Sequence, residues 1–319
     1  MSKNILVGDI GGTNVRLATF NITNSELTNI HTYSVSKFNS LSLILKSYLE
    51  EQKLDIRSAS LAIACPITGD KITMTNTPWS FSISEMKEEL ALEELFVIND
   101  FTAISLSVPH LTDSDVTQIG GQKNNIWSPI AVYGPGTGLG VAQVLEVNNK
   151  WVSLPGEGGH IDLSTTSETE DELLSFMRKQ FGRVSVERVL SGPGLVNLYN
   201  AIMHGNGDEP DNLLPEQIAA NALANSNEEC VNTLKLFCEM LGRFGGDLAL
   251  VCGSRAGVYL AGGIPPKILD FLVNSNFRKC FEDKGRLSTF VKDIPIYVIT
   301  HKYPGLLGSG AYYVNNSQR

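Results

Sequence analysis

Apolar residues in this chain fall in short runs that stop abruptly at glycine or at polar side chains. Ile5, Leu6 and Val7 make the first run, and its brevity and the turn signal behind it predict a buried strand. Val15, Leu17 and Phe20 continue as a second strand, and His31 to Val35 supply a third, so the chain opens as an antiparallel sheet. Ser40 is placed to cap a helix whose apolar face comprises Leu41, Leu43, Ile44 and Leu49. Ser60 to Ala64 is a buried strand, followed by the loop Cys65 to Asp70 and a short strand from Lys71 to Met74. Asn76 to Trp79 reads as a loop, and Ser82 with Glu85 three residues on is a capping box. Phe96, Val97 and Ile98 form a strand that ends at Asn99-Asp100, before a helical stretch from Phe101 to Leu106. The polar stretch His110 to Ser128 reads as loop, with a domain boundary near its start.

The opening pattern then returns. Pro129 to Tyr133 is a strand that meets Gly134-Pro135-Gly136-Thr137-Gly138-Leu139-Gly140, and a second strand follows. Two apolar strands, each running into a glycine turn with a threonine, suggest an internal duplication. The loop Pro155-Gly156-Glu157-Gly158-Gly159-His160 is too rich in glycine for a helix face. Thr165 to Phe181 is an amphipathic helix, Ser191-Gly192-Pro193-Gly194 turns into another, and residues 215–251 hold two more. Tyr259 to Ala261 is a strand closing in Gly262-Gly263-Ile264-Pro265, a third meeting of strand and glycine. A last strand, Ile294 to Ile299, precedes a C-terminal helix expected to return to the first domain.

A chain of 319 residues is about right for two domains, and 42% hydrophobic with 18% charged residues marks it as compact rather than disordered. The expected division is a small α/β domain of residues 1–110, completed by a helix in 301–319, and a large α/β domain of 111–300. The net charge of −9 argues against nucleic acid or anionic membrane as partners. No segment has the apolar length of a transmembrane helix, and the N-terminus lacks a signal-peptide pattern. Five cysteines without C-x-x-C spacing suggest a reducing cytoplasm and no zinc site.

The glycine turns bear the chemistry. Gly8, Gly11 and Gly12 let the backbone approach a ligand, and turn N–H groups suit phosphate oxygens. Asp9 would repel phosphate unless a cation intervened, so the stretch suggests a magnesium–nucleotide site; the plain alternative is a hairpin turn with an exposed acid. The chain has no Gly-Lys pair, G-x-G-x-x-G, G-x-S-x-G or H-E-x-x-H, which removes the Walker A loop and weakens the dinucleotide and hydrolase readings. Two phosphate turns facing a cleft, with carboxylates and amides at strand ends, suit phosphoryl transfer, which needs alignment, charge neutralisation and a base.

The segments Val7 to Arg16, Ile63 to Asp70, Ile98 to Ala103, Gly136 to Val141, Ser153 to His160, Glu187 to Leu198, Leu260 to Ile264 and Pro304 to Ala311 together resemble the bacterial glucokinases of the actin-like sugar-kinase superfamily. Ser-Leu-Pro-Gly-Glu-Gly-Gly-His and Glu-Arg-Val-Leu-Ser-Gly-Pro-Gly-Leu are the most specific of these matches. The resemblance implies a two-domain actin-like ATPase (ribonuclease H-like) fold with a cleft between the domains. It implies transfer of the γ-phosphate of ATP to the 6-hydroxyl of glucose, and a cytoplasmic homodimer. The cysteine-rich zinc loop of the related repressor/kinase branch is missing, which points to the zinc-free branch.

On this resemblance Asp100 is the general base, and Asn99, Glu157, His160 and Glu187 hold the sugar with it. Gly8, Asp9, Ile10, Gly11, Gly12, Thr13, Gly136, Thr137 and Gly138 would take the ATP phosphates, with Asp9 near Mg2+ through water. Gly262 and Gly263 would admit the adenosine, while Arg16 and Arg255 are less clearly assigned. Plainer readings stand beside these: Asp100 capping the helix from Phe101, His160 bonded to backbone, Glu187 solvated, Arg255 on the surface. Pro135 lacks an N–H and cannot donate to phosphate. The rivals are a kinase for mannose, fructose or an N-acetylated amino sugar, a non-catalytic sugar sensor, and an ATPase clamp. The sensor would append a DNA-binding module, for which the first strand at Asn4 leaves no room; the clamp has no need of Glu157, His160 and Glu187.

Overall fold

The structure, a computed structural model, describes residues 3–53, 55–74 and 77–317. Asn76, expected in a loop, lies outside them. The chain forms two compact units: Met1–Ser114 with Glu146–Pro155 and His301–Arg319, and Asp115–Leu145 with Gly156–Thr300. The sequence division assigned residues 146–155 to the large domain, whereas they group with the first unit.

In the first unit β1 (Asn4–Ile10), β2 (Asn14–Asn21) and β3 (Leu27–Ser34) form an antiparallel meander, and α1 (Leu41–Glu51) follows. β4 (Ser58–Ile63) joins β1 in parallel. A small hairpin of β5 (Lys71–Thr73) and β6 (Ser80–Ser82) leads through α2 (Ile83–Glu89) to β7 (Glu94–Asn99), parallel to β4, and then to α3 (Asp100–Ser107). The sheet order is β3-β2-β1-β4-β7. Because β1, β4 and β7 run in parallel, with Ile10 beside Ile63 and Ile63 beside Asn99, their carboxyl ends share one edge.

Ser40 caps α1 by accepting the Leu43 N–H, and Ser82 caps α2 by accepting that of Glu85. The buried stripe of α1 is Leu41, Ile44, Leu45 and Tyr48, at helical spacing, while Leu43 is 46% exposed. Of the expected face Leu41 and Ile44 are buried and Leu49 packs against the same core, so Leu43 alone is misplaced. Leu45→Ala should cost roughly 2–5 kcal/mol and Leu43→Ala no more than about 0.5 kcal/mol, as urea melts of the two variants would show.

The six-stranded sheet begins with β8 (Val116–Gly120), the hairpin of β9 (Ile130–Pro135) and β10 (Leu139–Val147), and then β11 (Lys150–Gly156) in chain order. Helices α4 (Glu168–Phe181), α5 (Gly192–Asn206), α6 (Pro215–Leu223) and α7 (Glu228–Cys252) come next. The rest comprises β12 (Gly257–Leu260), α8 (Leu269–Asn274), α9 (Phe277–Glu282), α10 (Ser288–Val291) and β13 (Ile296–Ile299). The strand order β11-β10-β9-β12-β13-β8 repeats, in its first five members, the connectivity of the first sheet. The apolar faces of α4, α5 and α7 cover it through Leu174, Leu198, Phe237 and Leu241. The stretch expected to be loop contains β8, which pairs antiparallel with β13. Its Val-Thr-Gln-Ile-Gly is an edge strand with little apolar content, stabilised by a partner that arrives much later in the chain.

The last helix, α11 (Pro304–Asn316), packs on β1, β2 and α3 in the first unit. It fits because it is glycine-rich: a Cβ on Gly310 would stand 2.4 Å from the Phe20 ring, and Ser309 donates its hydroxyl to the Gly8 carbonyl at 3.2 Å. Among the described residues no helix is long and apolar enough to cross a membrane.

Candidate active site

In the first unit the shared carboxyl edge gathers Asp9, the turn after it, Asn99 and Asp100. The β1–β2 turn is closed by the Gly11 N–H donating to the Asn14 carbonyl at 3.0 Å, and Thr13 is exposed at its tip. Gly8 and Ile10 lie within β1, on the strand that leads into the turn. Gly8 is buried inside β1, where a Cβ would meet Leu61 at 2.7 Å, and the Ile10 side chain is fully buried. Both residues build the strand from which the turn projects. The hairpin pairs Asp9 with Arg16, whose Nη1 donates to Asp9 Oδ2 at 3.1 Å. Burial pushes the Asp9 carboxyl up from its ordinary value, and the Arg16 charge opposes this. Gly305, at the start of α11, lies against Asp9: a Cβ there would come within 3.1 Å of the carboxyl carbon.

Asn99, not Asp100, caps α3. Its Oδ1 accepts the N–H groups of Phe101 at 2.9 Å and Thr102 at 3.3 Å, and its Nδ2 donates to the Cys65 carbonyl at 3.4 Å. The plain reading of Asp100 as the cap is thereby displaced by one residue. Asp100 opens the helix; its Oδ1 accepts the Phe101 N–H at 2.9 Å, and the Asn99 side chain also hydrogen-bonds its carboxyl. Burial pushes its carboxyl up to about 6, against the Phe101 hydrogen bond and with added repulsion from Asp9. A carboxylate so placed is still ionised at neutral pH but is a stronger base than an ordinary aspartate.

In the second unit three separate segments meet at the β9–β10 turn. The Gly136 N–H donates to the Gly138 carbonyl at 2.8 Å, and the Gly136 carbonyl accepts the N–H of Gly192, the first residue of α5, at 2.8 Å. Glu187 Oε2 accepts the Leu139 N–H at 2.8 Å. The loop carrying Glu157 and His160 lies on the same turn, since a Cβ on Gly159 would meet the Leu139 carbonyl at 2.3 Å. Glu157 and His160 are both exposed, and the Glu157 side chain makes no cap bond to the 3₁₀ turn Gly158–His160 that follows it. Arg183 fixes this loop by donating to the His160 carbonyl at 2.8 Å. Gly262 has φ of +83° and would clash with the Pro135 carbonyl if it carried a Cβ, so backbone and space both demand glycine. Gly136 and Gly263 have open space at the Cβ position, and Thr137 is exposed between the turn glycines. Pro135 lies at the end of β9, where its carbonyl accepts the Ile264 N–H at 3.3 Å.

Arg255 is exposed in the loop before β12, at the opposite end of that strand from Gly262 and Gly263, so it does not join this group. Arg16 and Gly305 do belong to the first unit's site. Hairpin register could have revealed Arg16; nothing local marks Gly305.

Two sheets of like connectivity, each led by a hairpin whose glycine turn stands at the carboxyl edge of parallel strands, define the actin-like ATPase fold. The chain belongs to the glucokinase family, whose model, described as Glucokinase, matches residues 6–316. A glucokinase of Yersinia enterocolitica serotype O:8 is 52% identical over 312 residues, 98% of this chain and 97% of the relative. A solved glucokinase from an Antarctic psychrotroph is 36% identical with a TM-score of 0.89, covering 99% of this chain and 100% of that one. The glucokinase of Balamuthia mandrillaris, solved in complex with glucose, shares the fold at 22% identity and a TM-score of 0.81, covering 99% of this chain and 94% of that one.

Proposed function

We propose that this glucokinase-family protein transfers the γ-phosphoryl group of ATP to the 6-hydroxyl of glucose, with Asp100 as general base. The observation that carries this reading is the Asp100 carboxyl, raised to about 6 at the mouth of α3, with Oδ1 held by Phe101. The carboxylate would accept the 6-hydroxyl proton as the alkoxide oxygen forms its bond to phosphorus and the bond to ADP breaks. Asn99, whose Oδ1 is committed to the cap, would offer its Nδ2 to a neighbouring hydroxyl. Glu157 and Glu187 supply acceptors, and His160 supplies a ring that can donate and accept, as vicinal hydroxyls require.

The turns Gly11 to Thr13 and Gly136 to Gly138 would hold the phosphates, and Gly262-Gly263 would border the adenosine. Asp9 fits a magnesium ion carried in with the nucleotide: Oδ2 is occupied by Arg16, leaving one oxygen, and the described residues contain no group of three or more ligands that would form a closed cage. Bound there, the ion would neutralise phosphate charge. We further propose that the protein works in the cytoplasm as a homodimer, without nucleic acid or membrane partners.

Coupled measurement of ADP release with and without glucose tests the reading. Release should require glucose, and mannose, fructose and N-acetylglucosamine should give lower kcat/KM. Sugar-independent release would favour an ATPase clamp, and binding without turnover a sensor. Glu157→Ala should raise the KM for glucose roughly 10-fold or more while changing that for ATP little, the loss of a hydrogen bond to a charged group.

A further inference from the structure

Glu187 occupies an unexpected position for a carboxylate. Its Oε2 accepts the Leu139 N–H at 2.8 Å, at the foot of the Gly136–Gly138 turn. It also fills the volume a side chain on Gly138 would need: a Cβ there would stand 2.5 Å from Oε2. Gly138 has no positive φ, so space, and not backbone freedom, requires glycine at this position. The main chain of Glu187 is itself anchored, its carbonyl accepting the hydroxyl of Ser191, the cap of α5. The next residue, Gly192, donates to the Gly136 carbonyl at 2.8 Å. The segment 187–192 therefore grips the turn at both ends.

A negative charge beside a turn meant for phosphate opposes anion binding. Its presence calls for a compensating role. We infer that Glu187 is a positioning residue for the nucleotide turn as well as a sugar ligand: Oε2 shapes the turn through Leu139, and Oε1 is left for the hexose. This inference rests on the function proposed above. A hydroxyl donating to Oε1 fixes the carboxylate rotamer and so holds Oε2 on Leu139. Hexose and nucleotide affinities are thereby coupled through one side chain, and linkage makes that coupling reciprocal.

The sign of one effect separates positioning from simple charge. If Glu187 acts on the nucleotide only by charge, Glu187→Ala and Glu187→Gln should both tighten Mg·ADP binding. If it positions the turn, Glu187→Ala should weaken Mg·ADP binding about 10-fold even without glucose, as loss of a charge-assisted hydrogen bond implies. Glu187→Gln, which keeps an acceptor for Leu139, should restore most of it. Gly138→Ala, which displaces the carboxylate, should weaken Mg·ADP to a similar degree and add little to Glu187→Ala in the double variant. Titration calorimetry with Mg·ADP alone and then with saturating glucose gives these values, with circular dichroism reporting folding; should Glu187→Ala fail to fold, Gly138→Ala and Glu187→Gln carry the test. Unchanged or tighter sugar-free Mg·ADP binding in the folded Ala or Gly138→Ala variants overturns the inference, whereas Glu187→Ala that weakens ADP but leaves glucose binding intact removes Glu187 from the sugar set and keeps its positioning role.

Discussion

Asp100→Asn is expected to lower turnover by about 10²- to 10⁴-fold with glucose affinity nearly unchanged, the range for loss of a positioned base. Asparagine keeps the size of the side chain and an oxygen for the Phe101 N–H, so α3 should begin as before. What it lacks is an oxygen able to take the 6-hydroxyl proton. Steady-state kinetics with direct glucose titration would decide the matter, and turnover within threefold of wild type would remove Asp100 from the mechanism. The pH dependence follows from the same side chain. With its carboxyl raised to about 6, wild-type kcat/KM should fall as pH drops through that value, and the limb should vanish in Asp100→Asn.

Stability should move in the opposite direction from activity. The folded protein holds the Asp100 proton more tightly than the unfolded chain, so between about pH 4 and 6 it binds more protons. Folding stability from this group therefore decreases as pH rises through that window, and the cost persists at neutral pH. Asp100→Asn should accordingly raise the melting temperature at pH 7 while abolishing most turnover, a trade common to functional acids.

Gly308→Ala is the second large effect expected, and it lies at no ligand. In an ordinary helix this change gains about 1 kcal/mol of helix propensity. Here the added Cβ would stand 1.6 Å from the Ala103 carbonyl oxygen and 2.4 Å from its carbon. Those atoms are α3 backbone and cannot rotate aside, so α3 and α11 must separate. Overpacking commonly costs 1–3 kcal/mol, and backbone-on-backbone contact should put this case at about 3 kcal/mol or more, well above the propensity gain. Because α3 begins with Asp100 and α11 begins against Asp9, turnover should fall along with the melting temperature. A variant melting within a degree of wild type would show that the two helices do not cross so closely.

Much of this could be read locally. Ser40 and Ser82 cap their helices, because a cap depends on a few adjacent residues. The strands ending at Asn99 and Pro135 were marked by apolar runs meeting polar or glycine residues. Leu43 was misplaced because a leucine three residues before Lys46 satisfies a loose apolar pattern, while the burial of Tyr48 depends on Thr19 and Asn29, with which its hydroxyl lies at 3.2 and 2.9 Å. β8 was missed because an edge strand needs few apolar residues of its own. Asn99 and Asp100 were both singled out, yet which of the two caps the helix is a matter of side-chain rotamer, on which adjacent residues of similar shape compete.

By itself the sequence determined the repeated strand-and-glycine architecture, the family and the acids and amides available to it, since periodicity and turn chemistry act over a few residues. Only tertiary structure decided that Arg16 occupies one oxygen of Asp9, that burial raises Asp100, and that Glu187 reaches back to Leu139. Those facts depend on which distant segments lie in contact and how much water they exclude, and both are properties of the packed chain.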